Sequence, residues 1–573
     1  MSRQEAQRRA TEPPRRFQGH VHHGNGRIDG TTDQWRVYQH IVHRLEHGPY
    51  LRLMVQAAAG TGKSYLLVAV CLWCLLRAKK FRAAAPTGIA AANIEVPNTD
   101  IAATTIHTLF DFNTEFKTKR DFSNMDDELV QVLLQLGVLL LDEVSMIDDE
   151  FWQGITDMLC AASSLRGAGR QSLPDELGQV HVLLFGDFRQ LPPATNRPPF
   201  IVLPAVHTCF RFAVLRENRR LARAGGAQGK ELEDFHQILT DISNGIVSEQ
   251  VREFVVKKYT EGALVSAANV DFEGSTTVVS KRRFRDKWNR AVVRRLSKVS
   301  QRSLRVKALL KPTYSDKKVL AFYSDKKAKS LQKKARSVAL WNLQLAGHWN
   351  KDTPPDGGPK HLMRCMLVSN VDVRQRFANG TQGRLYHWYP RDVQKRKHLR
   401  ANHPDLLARF VKESAYSDET KKTLIAEVDF MDIQPRPTPL AGIAATSMVQ
   451  LQLVPSYALT CHKVQALTIK HVVRACLEGI FAWGSVYVMF SRVTDPRNLR
   501  LVGLPPYDLL DDVAQEWFLI DSIMDICLII WVGRIGVPLV PPPLPPQGCV
   551  GMPPAARFLP MPLGGSCLGP RQI

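Results

Sequence analysis

Paired cysteine motifs are missing. The chain has ten cysteines and a single C-x-x-C, Cys71 and Cys74, with no second pair to complete a zinc set. That pair lies inside an apolar stretch, so core packing is its expected role and no metal cluster is expected. No apolar run opens the chain, which argues against a secretory signal and for a reduced, intracellular setting. No sustained repeat is present. "YSDKK" occurs twice, at 314–318 and 323–327, and two copies make a local duplication rather than a solenoid. Acidic residues are also short, at 54 Asp and Glu against 76 Lys and Arg, a formal net charge of +22.

The positive charge is not spread evenly. Residues 281–336 hold 21 Lys and Arg against three Asp, so +18 of the excess sits in one segment. A charged solvated helix face normally carries both signs, whereas a local field of one sign points to a polyanion. Residues 1–30 are polar and read as a disordered basic arm. Arg3, Arg8, Arg9, Arg15 and Arg16 suit a nuclear address, with a mitochondrial one weakened by Glu5 and Glu12. The tail, 521–573, carries an apolar run from 523 to 540, but Asp525 and Arg534 interrupt it and argue against a membrane span. A proline-rich stretch follows it.

The segment "MVQAAAGTGKSYLLVAV", 54–70, is one residue short of a phosphate-binding loop, G-x-x-x-x-G-K-[ST], because Ala57 stands at the first glycine. A buried strand precedes the loop and a long apolar helix follows it. That context gives each residue a task. Gly60, Thr61 and Gly62 let successive N–H groups converge on an anion, Lys63 reaches the outer phosphates, and the Ser64 hydroxyl suits magnesium. Ala57 costs little if its φ stays negative.

From 54 to about 222, strands and helices alternate as in a parallel α/β sheet. "VLLLDEVSMID" ends one strand with Asp142 and Glu143, 79 and 80 residues after Lys63. Asp142 suits the magnesium water shell, and Glu143 suits orientation of an attacking water. "FGDFRQLPP" places Gln190 after another strand, where it can sense a γ-phosphate. "LRENRR" offers Arg220, or alternatively Arg219, and "MFSRVTDPRNLRL" offers Arg492, as cations that close on a transferring phosphoryl group. The glycine-rich stretch "RRLARAGGAQGKELEDF" reads as a linker to a second unit. "NGT" at 379–381 fits a glycosylation acceptor in form, but reads better as a turn between strands.

"AAAGTGKS", "APTGIAAANI", "TTIHTLF", "LLLDEVSMID", "FGDFRQLPP", "LRENRR", "NGTQGRL", "YALTCHKVQALTI" and "VYVMFSRV" follow one another in the order of the motifs of superfamily 1B DNA helicases. Within these the chain resembles the PIF-type (petite integration frequency) helicases, related to RecD, over about residues 31–504. The resemblance implies an α/β fold of two RecA-like parallel-sheet domains, 31–224 and 225–520. The second would carry a small β-barrel insertion at about 383–450; the basic insertion at about 281–360, in the same domain, is longer and more basic than the family pattern. It implies ATP and Mg²⁺ between the domains, and single-stranded, forked or structured DNA as partner. It further implies 5′-to-3′ movement by a monomer. By the same resemblance, Gln34 would read adenine, and Pro86, Thr87, His107, His462 and Lys463 would contact DNA or couple it to ATP. Three positions depart from the pattern. Ala466 replaces a glycine after "HKVQ", Arg189 replaces an aromatic, and Phe490 replaces a leucine. Two rivals stay open: a nucleic-acid-binding protein with an impaired motor, and the helicase module of a mobile element or a RecD-like repair enzyme.

The basic segment yields a prediction of its own. Lysines are flexible point charges that suit phosphates and read bases poorly. Replacing Lys317, Lys318, Lys326 and Lys327 by glutamine should weaken DNA binding about equally across sequences. It should also flatten the log–log salt dependence, by roughly 0.7 for each single-strand phosphate that the protein ceases to neutralise. Affinities measured at several salt concentrations test this; parallel lines of equal affinity would remove the segment as a DNA anchor.

Overall fold

The computed structural model describes residues 32–502 except 95, 97–98, 100–101, 113–121, 123–124, 167–176, 196, 218–225, 264–273, 300–301, 308, 313–341, 349–360, 373–374, 376, 391–405, 413–429, 440–445, 481 and 483. All described residues lie in the compact unit Met1–Leu528. The basic arm, the apolar tail, and Arg219, Arg220, Lys317, Lys318, Lys326 and Lys327 fall outside them.

Six parallel strands form the first sheet: β1 (Arg52–Ala57), β2 (Phe81–Ala85), β3 (Thr104–Thr105), β4 (Val138–Leu141), β5 (His181–Gly186) and β6 (Arg211–Leu215). Their order is β3-β2-β4-β5-β1-β6. Side-chain alternation divides β1 between two cores. Leu53, Val55 and Ala57 pack with helix α2 (Lys63–Leu76), and Met54 packs with the opposite layer. Both faces are covered, so the strands read as continuous apolar runs. Cys71 and Cys74 are buried thiols on α2, where burial pushes the Cys74 thiol up to about 12. Helix α1 (Asp33–His47) starts at Thr32, whose hydroxyl accepts from Trp35 N at 3.1 Å. The Asp33 carboxylate ties this start to the exit of β6 by accepting from Arg216 N (2.6 Å) and Glu217 N (2.8 Å).

A second parallel sheet has the strand order 458–460, 275–279, 472–476, 499–502. Its core takes in Phe235 and Ile238 from the helix Gly226–Ser243. That helix corrects the linker reading of 219–235 from Gly226 onward; 219–225 lie outside the described residues. Leu232, Phe235, Ile238, Leu239 and Ile242 recur at helical spacing, and the apolar face they form outweighs Gly226 and Gly229.

Between the strands 275–279 and 458–460 the chain builds three antiparallel sheets, of five, three and three strands. The expected β-rich insertion at 383–450 is wider than its sequence limits. Strands 364–367 and 453–455 join 382–390, 406–412 and 430–433 in the five-stranded sheet. Among the described residues the strands pair as open sheets, and the small β-barrel that the resemblance implies is not confirmed by that pairing. The basic segment also begins differently from expectation. Residues Arg282–Val299 are a helix that belongs to the fabric of the second domain. Val292 and Val293 are buried, with Trp288 and Leu296 packed beside them. Asn289 donates to the carbonyls of Pro455 (2.8 Å) and Ala458 (3.0 Å) and accepts from Ala458 N (2.7 Å). Its apolar residues four apart fix one face inward and leave most of the arginines outward.

Candidate nucleotide and nucleic-acid site

The carboxyl ends of β1, β4 and β5 meet at one edge of the first sheet, where open α/β sheets bind their ligands. After β1, Gly60 and Gly62 take φ of +90° and +82°, and Gly62 caps α2. Ala57 is not among the left-handed residues, so alanine costs nothing there on that account. Gly62 is required twice over. A Cβ at that position would lie 2.0 Å from Gln34 Nε2. That amide donates to the carbonyls of Thr61 (2.8 Å) and Gly62 (3.0 Å), so the residue expected to read adenine braces the loop. Thr61 is buried, and its hydroxyl donates to Ala58 O at 2.8 Å; Ser64 is exposed in the first turn of α2.

Lys63 Nζ lies 2.6 Å from Glu143 Oε1 and 2.9 Å from Asp142 Oδ1. Burial works to lower the Lys63 pKa, but the two carboxylates outweigh it and hold the ammonium above its usual range. Burial, reinforced by Glu143, raises Asp142 against the pull of Lys63. Glu143 has a φ of +52°, a left-handed conformation that side-chain-bearing residues seldom adopt. Its second oxygen, Oε2, is buried without a hydrogen-bond partner, and so is Gln190 Oε1. Buried acceptors of this kind are rare and call for an explanation. Both belong to residues assigned to the reacting end of a nucleotide, and each can receive a proton donor. The donor set fits the expected ligands. A glycine nest with an ammonium suits phosphates, and a carboxylate with a hydroxyl suits the hard Mg²⁺ ion.

The second domain reaches this edge at three places. Gly484, with φ of +70°, presses on the loop after β5, and a Cβ there would lie 2.6 Å from Gln190 O. Tyr487, three residues later, donates to Asp187 Oδ2 (2.9 Å) and accepts from Ala59 N (3.0 Å). The loop after the strand 458–460 brings Gln465 Nε2 within 3.5 Å of Ser145 Oγ, and Ala466 O accepts from Asn93 Nδ2 at 3.1 Å. Ala466 itself has a φ of +65°. The glycine it replaces would hold that conformation freely, whereas alanine is strained in it.

Arg492 lies in the second domain, but its guanidinium faces inward. It donates to the carbonyls of Val488 (2.9 Å), Val464 (3.2 Å) and Leu467 (3.1 Å) and to Ser491 Oγ (2.8 Å). In this arrangement it braces the loop that bears Ala466, and these four hydrogen bonds lie within its own domain.

The residues expected at DNA form a second group. Pro86 is half-buried, and Thr87 Oγ1 caps the helix Gly88–Ala92 by accepting from Ala90 N at 3.3 Å. Gly88 abuts the insertion, with a Cβ there only 2.4 Å from Asn370 Oδ1. The His107 ring lies tilted against Phe151, with centroids 4.7 Å apart, and burial lowers its pKa. Lys463 Nζ donates to Asn379 Oδ1 at 2.8 Å, beside the turn at Gly380, whose φ is +103°. Burial, then Arg282 and Arg285, push the Lys463 ammonium down; burial and Arg282 do the same to His462. A lysine and a histidine depressed by burial and by neighbouring guanidinium groups form a site that gains from an anion. Asp187 is the acidic residue that closes the strand run "VLLFGD", which the sequence marks without giving it a role. Arg282, Gly484 and Tyr487 are not singled out in the sequence, where "SVYVMFSRV" reads as a strand, whereas Ser485–Phe490 is a helix.

A family model described as PIF1-like helicase matches residues 30–253. The chain is 22% identical over 395 residues to the ATP-dependent DNA helicase Pif1 of Bdellovibrio bacteriovorus, covering 68% of this chain and 71% of that one. The Pif1 helicase of Candida albicans aligns in structure with a TM-score of 0.60 at 19% identity, over 86% of this chain and 99% of that one. The Bacteroides Pif1 helicase in complex with ADP-AlF3 and single-stranded DNA aligns with a TM-score of 0.54 at 17% identity, over 85% and 97%.

Proposed function

We propose that this chain is a PIF1-like helicase that couples ATP hydrolysis to 5′-to-3′ movement along single-stranded DNA and so separates duplexes, acting as a monomer in the nucleus. The observation that carries this reading is the shared ion pair of Lys63 with Asp142 and Glu143, placed where the second domain closes. Lys63 exchanges its carboxylate partners for the outer phosphates, and Gly60 to Ser64 cradle the rest. Asp142 and Ser64 would hold Mg²⁺, which when bound neutralises charge on the phosphates. Glu143 Oε2 takes a hydrogen bond from the attacking water, and Gln190 Oε1 is placed to sense the γ-phosphate end. Single-stranded DNA runs past Pro86, Thr87, His107, His462 and Lys463, where Arg282 and Arg285 add positive charge beside Lys463. Arg220 remains a candidate finger outside the described residues.

A second reading, a DNA-binding ATPase with an impaired motor, is favoured by the left-handed Ala466 in the loop between the two sites. ATP turnover with and without single-stranded DNA, followed by strand separation with a tail on either end, decides between them. Lys63→Ala should abolish turnover and leave DNA binding largely intact; full turnover in that variant would overturn the site.

Arg492→Ala should lower kcat more than ATP affinity if the side chain turns toward the phosphates during closure. Removal of such a finger costs on the order of 10³-fold. An unchanged kcat would limit Arg492 to supporting the carbonyls of Val464 and Leu467.

Ala466→Gly should raise the base pairs separated per ATP hydrolysed, by relieving left-handed strain of about 1 kcal/mol. Equal or lower coupling would mean that the loop accommodates alanine without cost.

A further inference from the structure

The hydrogen bonds of Tyr487 join parts of the site that belong to different domains. Its side chain is buried at 3% exposure, on the helix Ser485–Phe490 of the second domain. The hydroxyl accepts the N–H of Ala59, inside the phosphate loop, and donates to Asp187, at the end of β5. Asp187 is fully buried and meets Gln56 Nε2 (2.8 Å), Arg189 N (3.2 Å) and Gln190 Nε2 (3.2 Å) as further donors. Gln56 is the residue before Ala57, and its Oε1 accepts from Phe188 N at 3.0 Å. One phenol therefore ties the phosphate loop, through Asp187, to the side chain whose free oxygen faces the γ-phosphate end. Two apolar or steric contacts fix its approach. Gly484 admits the backbone of Gln190, and Leu191 is buried in the core of the second domain.

We propose that the Tyr487 hydroxyl is a positioning group that transmits closure of the two domains to the phosphate loop and to Gln190. The inference rests on the ATPase reading above. When the second domain swings away, Ala59 N–H and Asp187 Oδ2 give up a partner together, and Gln190 loses the anchor that aims it. When it returns, one hydroxyl restores both bonds. Burial, with the Asp187 carboxylate beside it, holds the phenol pKa well above the usual value, so the group stays neutral and able to donate. A phenylalanine keeps the ring and its packing and removes only the two hydrogen bonds, so it isolates the coupling from the fold.

The test uses the full chain. Tyr487→Phe should lower single-strand-stimulated kcat on the order of tenfold, as expected when two buried polar groups are deprived of a shared partner. KM for ATP should move much less, and the melting temperature should stay near that of the unaltered protein. Asp187→Asn is the second probe. If both act through one hydroxyl–carboxylate bond, the double variant should lose less than the product of the two single losses. A Tyr487→Phe protein with unchanged kcat, or fully multiplicative losses, would overturn the clasp while leaving the ATPase reading intact. An unaltered chain that shows no DNA-stimulated turnover would overturn both.

Discussion

Two carboxylates share one ammonium at the floor of the cleft, and the rest of the site is arranged around that contact. Lys63 begins α2 after β1, whereas Asp142 and Glu143 follow β4, and β5 lies between the two strands. The lysine therefore spans the width of a strand, about 10 Å between strand axes. Only the strand order that puts β5 in the middle brings all three groups and Asp187 to one edge. Burying such a trio is costly unless each charge is matched, and breaking a buried pair typically costs about 3–5 kcal/mol. The ion pair thus holds the edge together electrostatically until phosphates supply the charge that Lys63 requires. With Glu143 Oε1 held by Lys63, Oε2 is left without a partner, on a residue whose backbone is left-handed.

The second domain meets this edge through short, exacting contacts rather than a broad apolar face. Gly484, Gln465, Ala466 and Tyr487 all act within two segments, 461–467 and 484–492, and Arg492 joins the two by donating to Val464 O and Leu467 O. A displacement of the helix 485–490 is therefore felt by the loop that carries His462 and Lys463. The link between these segments and the first domain runs through that guanidinium and through Ala466, whose carbonyl accepts from Asn93 just past the helix that Thr87 caps. The left-handed Ala466 lies on this link.

Most of the first domain is legible in the sequence because its signals are local. The glycine loop, the apolar strands and the acidic strand ends each follow from a few neighbouring residues, and the strands lie where those signals put them. The family pattern puts Gln34 at adenine, but its side chain braces Thr61 and Gly62, a contact 27 residues away that no local pattern encodes. The helix 226–243 is masked in sequence by Gly226 and Gly229, since composition speaks louder than the apolar period beyond them. Read as a strand, "SVYVMFSRV" would put Arg492 at a strand end, but Ser485–Phe490 is a helix, and the direction of Arg492 depends on carbonyls 25 and 28 residues earlier. Asp187 and Tyr487 are 300 residues apart, and only packing of the two domains turns them into a pair.

The basic run 281–336 marks the boundary between charge as architecture and charge as interface. Its first third reads in sequence as insertion with the rest, because net charge carries no information about which face a residue occupies. Asn289, Val292 and Val293 turn that third into a wall of the second domain, and the same helix then presents Arg282 and Arg285 to His462 and Lys463. Cations held close by packing raise one another's free energy. Arg285 has Asp286 at 2.6 Å, but among the described residues no carboxylate pairs with Lys463 as Asp142 and Glu143 pair with Lys63. The two ends of the link are thus electrostatic opposites. The nucleotide end has excess carboxylate, matched by one ammonium and suited to a metal-bound phosphate chain. The other end has excess cation held by the fold, suited to a backbone of phosphates.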